Sequence, residues 1–179
     1  SANEAASPVS YNAPMVKIGA VQLGNVPRVV LCANGDSPAV ARAAREGVDL
    51  IEARVDLFHR LASASVVSGV RALRRHRVPL IGTVRSASQG GAAAITEARR
   101  LKLYATVAPL VEAIDVDLTA GALADIMQAA RSHKKTLMLS HHDFNGTPSD
   151  AALTRIVDKA EALGADLIKI AAMANSDRD

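Results

Sequence analysis

Residues 165–174 read ADLIKIAAMA, an apolar, strand-like run in which Lys169 is the one basic residue. Lysine is seldom buried without a partner, so this residue requires polar neighbours on one face of a sheet. The run IEARVD at 51–56 has the same character, because Glu52 and Arg54 alternate with apolar residues. The sequence therefore predicts a sheet with one apolar face and one face that collects charge.

Strand-like runs alternate with segments of helical spacing along the chain. The runs are Val29–Ala33, Leu50–Val55, Pro79–Arg85, Ala113–Leu118, Thr136–His142 and Asp166–Ala172. Helix signals stand between them, such as the cap and first-turn proline of Ser37-Pro38 and the stop at Gly164. Strands that alternate with helices predict a parallel α/β fold.

The distribution of charge distinguishes two parallel architectures. A doubly wound sheet is covered by helices on both faces, so its strands are almost continuously apolar. Polar residues near the C-terminal ends of strands favour instead a (β/α)8 barrel of the TIM type, whose active sites lie at those ends. We expect the first six βα strands of such a barrel, after an N-terminal β-hairpin that turns around Leu23-Gly24-Asn25. The polar set expected to converge inside it is Glu52, Arg54, Arg85, Asp115, Asp117, His142 and Lys169.

Composition excludes several classes of protein. The chain has 179 residues, of which 49% are hydrophobic and 2% aromatic, with a net charge of +3. It is too apolar for a disordered chain, and its apolar runs are shorter than the roughly 18 residues of a membrane span. Four aromatic residues form no stacking platform for single-stranded nucleic acid. We therefore expect neither a nucleic-acid nor a membrane partner.

The ends and the single cysteine set further expectations. Residues 1–14 are small and polar and are expected to be a disordered leader, followed by a single incomplete barrel domain at 15–179. Cys32 excludes a disulfide framework and fits a reducing compartment, the cytoplasm. A secreted or periplasmic form whose signal has been removed is compatible with the same sequence.

Lys169 has two interpretations. It is either an ion-pair partner of Glu52 or an aspartate inside the barrel, or a nucleophilic amine that attacks a ketone and forms a Schiff base. His142 lies on the preceding strand, on the same face, and suits proton transfer near neutral pH. His141 faces the other way by parity, so the two histidines do not share a metal ion and no metal site is predicted.

Arg54 and Arg85 are also open to two interpretations. Their rigid donor forks suit a carboxylate or a hydroxyl-rich anion. Either guanidinium could instead neutralise neighbouring acidic side chains.

Five segments together resemble type I 3-dehydroquinate dehydratase. They are IEARVDLF at 51–58, PLIGTVRSASQGG at 79–91, AIDVDL at 113–118, SHHDFNGTP at 140–148 and GADLIKIAAMA at 164–174. The resemblance implies dehydration of 3-dehydroquinate to 3-dehydroshikimate, a step of the shikimate and quinate pathways, without metal or cofactor.

The resemblance also implies roles for individual residues. Lys169 would form the Schiff base, and His142 would be the general acid and base of a syn elimination. Glu52, Arg54 and Arg85 would contact the substrate. Gln89 stands where the family usually has a supporting Glu, and Asp117 also stands in place of a Glu.

The end of the sequence is the larger departure from the family pattern. The segments of the family's seventh and eighth strands, which hold the substrate carboxylate and hydroxyls, are not part of it. We therefore expect the 179-residue polypeptide to associate, as a homo-oligomer such as a dimer. Two alternatives to the dehydratase stay open, another Schiff-base barrel lyase such as a class I aldolase and a non-catalytic barrel that binds or assembles.

Overall fold

Six parallel strands joined by helices form one sheet in the computed structural model, which describes residues 15–24, 26–91 and 95–176. The strands are β3 (Val30–Ala33), β4 (Leu50–Arg54), β5 (Leu80–Thr83), β6 (Ala113–Asp117), β7 (Thr136–Asp143) and β8 (Leu167–Ala172). The helices are α1 (Pro38–Arg45), α2 (Ser63–Arg74), α3 (Glu97–Val107), α4 (Leu123–Ser132) and α5 (Asp150–Ala162). Short 3-10 helices span Val55–Leu57, Ala87–Gln89 and Ala108–Leu110. The predicted parallel α/β fold is confirmed, and each strand lies within the run predicted for it, except that β7 extends one residue further.

Local sequence accounts for where helices begin and end. Ser37 Oγ accepts a hydrogen bond from the Val40 backbone N–H, and Pro38 occupies the first turn of α1. Helix α5 ends just before Gly164, whose φ of +76° is a conformation that favours glycine.

The sheet has an apolar outer face and a divided inner face. Strands follow one another in sequence order, β3-β4-β5-β6-β7-β8, and every neighbouring pair is parallel. The outer face packs on the helices through fully buried side chains such as Ile51, Ile114 and Leu139. The inner face is apolar at the N-terminal ends of the strands, where Leu50 and Ile81 are buried, and charged towards the C-terminal ends.

The hairpin is present, but its predicted turn was wrong. Strands β1 (Lys17–Ile18) and β2 (Val21–Gln22) are antiparallel and enclose a two-residue turn at 19–20. Gly19 has a φ of +58°, the positive value that such tight hairpin turns require, so the turn forms there and not around Leu23-Gly24. Asn25 lies outside the described residues. The hairpin buries Ile18 against Leu50 and closes the N-terminal end of the sheet's inner face.

Strands β3 and β8 are the edges of the sheet, since each pairs with one neighbour in the described part of the chain. The predicted leader at residues 1–14 lies outside that part. None of the described helices is long and apolar enough to span a membrane.

Candidate active site

The inner face carries a cluster of two acidic and two basic side chains, each from a different strand or strand end. Lys169 on β8 places Nζ 3.4 Å from Glu52 Oε2 and 3.2 Å from Asp115 Oδ2. Both carboxylates are buried, whereas the Lys169 side chain is 35% exposed. The ion pairs that the sequence suggested are therefore formed, and part of the Lys169 side chain stays accessible to solvent.

Arg85 follows β5 and is the second cation of this cluster. Its guanidinium is 3% exposed and donates to Asp115 Oδ2 at 2.8 Å, to Ser140 Oγ at 2.6 Å and to Glu52 Oε1 at 3.5 Å. Burial alone would raise the pKa of Asp115, but the charges of Arg85 and Lys169 hold that pKa below its usual range. Asp115 thus stays ionised as the shared counterion of both cations.

Arg54 forms a separate ion pair beside the cluster. Its Nε and Nη2 donate to the two oxygens of Asp56 at 3.0 and 2.7 Å, in a bidentate arrangement. The Asp56 side chain is fully buried and also accepts the Arg85 backbone N–H at 3.2 Å. The Arg54 side chain is 17% exposed.

His142 lies near the end of β7, on the strand next to Lys169. Ser140 pairs with Lys169 and His142 pairs with Ala171, so His142 is two residues beyond the partner of Lys169 and on the same face. Burial and the nearby charges of Arg85 and Lys169 lower the pKa of His142 to about 4. The imidazole is therefore neutral near pH 7. Among the described residues, no group is hydrogen-bonded to its buried Nδ1.

Gln89 touches the main chain of His142. Its Oε1 accepts the His142 backbone N–H at 2.9 Å, and the residue is 9% exposed. The resemblance implies that the residue at position 89 supports the histidine. The contact observed holds the main chain at the end of β7, which carries the His142 ring. The Phe144 ring lies nearly parallel to the imidazole, with centroids 6.3 Å apart.

The expected convergence of Asp117 with the other charged residues was wrong. Asp117 Oδ2 accepts from Arg100 Nη2 at 2.5 Å, and Thr119 donates to its Oδ1. Arg100 belongs to α3 and is fully buried, so Asp117 neutralises a helix residue at the end of β6.

Two residues of the site have roles that sequence reasoning missed. Ser140 Oγ accepts from Arg85 and donates to Asp115 Oδ1 at 2.6 Å, so it joins the two charged groups. Ser140 lies two residues before His142 on the same strand, so both side chains face inward, and this spacing could have indicated its role. Tyr104 reaches the strand ends from α3, and no pattern in the sequence indicated this.

Comparisons with known proteins agree with this geometry. A family model described as type I 3-dehydroquinase matches residues 26–179. The 3-dehydroquinate dehydratases of Methanosarcina barkeri and Thermodesulfovibrio yellowstonii are 34% and 31% identical to this chain. The alignments cover 92% and 88% of this chain and 71% and 69% of those proteins.

A solved structure of similar fold is the type I 3-dehydroquinate dehydratase of Clostridium difficile with covalently modified comenic acid. It superposes with a TM-score of 0.83 at 28% identity, over 92% of this chain and 70% of that one. The chain belongs to the type I 3-dehydroquinase family.

Proposed function

We propose that this chain is a 3-dehydroquinate dehydratase, a hydro-lyase that forms 3-dehydroshikimate through an imine on Lys169. The single observation that carries the proposal is that Lys169 and His142 lie on adjacent strands and close enough for the charge of Lys169 to lower the pKa of His142. The curated relatives that match most of the chain are named for the same activity. No step of this proposal requires a metal or a cofactor.

Lys169 is the proposed nucleophile. The Lys169 ammonium first gives one proton to the neutral His142, and the free amine then attacks the substrate ketone. His142 returns that proton as the hydroxyl of the adduct leaves as water, which gives a protonated imine. Glu52 and Asp115 lie 3.4 and 3.2 Å from Nζ and stabilise that positive charge as they stabilise the ammonium. The imine draws electrons from the adjacent carbon and makes its C–H more acidic.

His142 is the proposed proton carrier. Its neutral imidazole takes the proton from the acidified carbon, and the C–H electron pair moves into the imine to give an enamine. The imidazolium then lies near the positive charge of Arg85, which favours its deprotonation. It gives the proton to the departing hydroxyl on the same face, so water leaves in a syn elimination. Hydrolysis of the new imine releases the product and restores Lys169.

The remaining predicted site residues have proposed binding roles. Glu52 lies beside the amine and Arg54 lies next to the charged cluster, and we propose that both contact substrate hydroxyls. Arg85 is almost fully enclosed by its own partners, so its contribution is chiefly a fixed positive charge. Gln89 holds the His142 backbone and, as a neutral amide, adds no charge beside the ring.

The assembly and compartment are also proposals. The one-sided pairing of β3 and β8 supports a homo-oligomer such as a dimer. The single cysteine supports a reducing compartment such as the cytoplasm.

Turnover of 3-dehydroquinate tests the proposal directly. We expect the ultraviolet absorbance of the conjugated product to appear with the unmodified chain and with Lys159→Ala, a control that removes a lysine of α5. Lys169→Ala should lower the rate by at least about 10³-fold, and His142→Ala by about 10²-fold to 10⁴-fold. Equal rates in Lys169→Ala and Lys159→Ala would overturn the proposed role of Lys169.

A further inference from the structure

The pairing of strand β5 with its neighbours ends two residues before Arg85. Its last paired residue is Thr83, which is in register with Arg54 on β4 and with Asp115 on β6. Beyond that point, the N–H and carbonyl of Val84 and the N–H of Arg85 form hydrogen bonds with side chains. The position of Arg85 therefore depends on the side chains that bind this short segment.

Tyr104 binds the segment from α3. Its hydroxyl accepts the Val84 backbone N–H at 3.1 Å and donates to the Asp115 carbonyl at 2.7 Å. It thus bridges the backbones of β5 and β6 at the place where their own pairing stops. Burial raises the pKa of Tyr104, so the phenol keeps the proton that it donates.

Two further side chains complete the support of this segment. Arg100 Nε donates to the Val84 carbonyl at 3.0 Å, and Asp56 Oδ1 accepts the Arg85 N–H at 3.2 Å. Of these three side chains, Tyr104 alone binds the backbones of both Val84 and Asp115. Val84 precedes Arg85 in the chain, and the Asp115 carboxylate binds the Arg85 guanidinium.

We propose that Tyr104 is a positioning residue, which holds Arg85 and Asp115 in their catalytic arrangement through the backbones of Val84 and Asp115. The role rests on the proposed function of the site, since it concerns the charged cluster around Lys169. Tyr104 touches no reacting atom in this account. Its hydroxyl sets the spacing between two strand ends, and the ion pair of Arg85 with Asp115 depends on that spacing.

The test compares Tyr104→Phe with Val107→Ala. The first variant removes one hydroxyl, whereas the second removes two methyl groups from the same helix and leaves the hydrogen bonds of Val84 intact. Both side chains are buried at the interface of α3 with the sheet, so both variants should lower the melting temperature. The quantity measured is the rotation rate of the Arg85 guanidinium, by nuclear magnetic resonance. Its two Nη groups give separate signals as long as their hydrogen bonds to Ser140 and Asp115 prevent rotation of the guanidinium.

We expect Tyr104→Phe to speed rotation of the Arg85 guanidinium by about fivefold, the factor that corresponds to the net free energy of about one hydrogen bond. Val107→Ala should leave that rate within about twofold of the unmodified chain. An unchanged rate in Tyr104→Phe, or equal acceleration in both variants, would overturn the proposal. The readout needs no turnover, so it stays informative if the proposed activity fails.

A second replacement serves if Tyr104→Phe does not fold. 4-Aminophenylalanine at position 104 keeps a donor for the Asp115 carbonyl but accepts poorly from the Val84 N–H. We then expect a smaller acceleration, of about twofold, for loss of part of one hydrogen bond. A rate equal to that of the unmodified chain would contradict the positioning role.

Discussion

Replacing Gln89 by Glu should strengthen His142 as a base. Gln89 Oε1 accepts the His142 backbone N–H at 2.9 Å, so a carboxylate of the same shape introduces a negative charge within a few bonds of the ring. Opposite unit charges about 5 Å apart attract by about 3 kcal/mol at an effective dielectric constant of about 20, which corresponds to about two pKa units. Because His142 is only half-buried, solvent screening reduces this, and we expect a rise of about one to two units from about 4.

The assay is a pH titration of the His142 imidazole signals by nuclear magnetic resonance. Gln128→Glu, on the exposed side of α4, introduces the same charge far from the site and is the matched control. We expect a higher His142 pKa in Gln89→Glu and no change in Gln128→Glu. We also expect the acid limb of kcat/KM to move to higher pH in the first variant. A His142 pKa that stays at its original value in Gln89→Glu would refute the electrostatic reasoning.

Three further predictions follow from the same contacts. Asp115→Asn leaves Arg85 and Lys169 without their shared anion. We expect urea denaturation to show that the free energy of unfolding falls by about 3 kcal/mol in this variant. The control Asp158→Asn, at an exposed position, should leave the free energy of unfolding unchanged. The folded pKa of His142 is about 4 and its ordinary value is 6.5, so the free energy of unfolding should fall as pH drops from about 6.5 to 4. His142→Gln should make this fall shallower. Equal slopes of unfolding free energy against pH in both proteins would contradict the reasoning. The 179-residue polypeptide should associate in light scattering through the edges of β3 and β8, and a sharp monomer peak with cooperative melting would exclude this.

Residue parity along the strands was enough to predict most of the fold. All six strands of the sheet overlap the predicted runs, because alternation of apolar and polar residues directly reflects the two faces of a sheet. The hairpin turn was misplaced because Gly19 and Gly24 offer the same conformational freedom. Pairing of β1 with β2 selects Gly19, and that is a long-range property of the two strands.

The candidate site was only partly predictable. Parity placed Lys169 with Glu52 and Asp115, since strand register brings residues of one face together. Parity failed for Asp117, because its partner Arg100 comes from a helix that the strand pattern does not describe. Tyr104 escaped prediction for the same reason, as its hydroxyl acts on backbone atoms and leaves no trace in side-chain alternation.

The most direct test of the central claim is borohydride trapping in the presence of 3-dehydroquinate, followed by peptide mapping with mass spectrometry. The account predicts one reduced covalent adduct, located on Lys169, formed by the unmodified chain and by Lys159→Ala and lost in Lys169→Ala. An adduct formed only with aldol substrates would point to a class I aldolase. A folded sample that forms no adduct with either substrate, or one modified at another lysine, would contradict imine formation at this site.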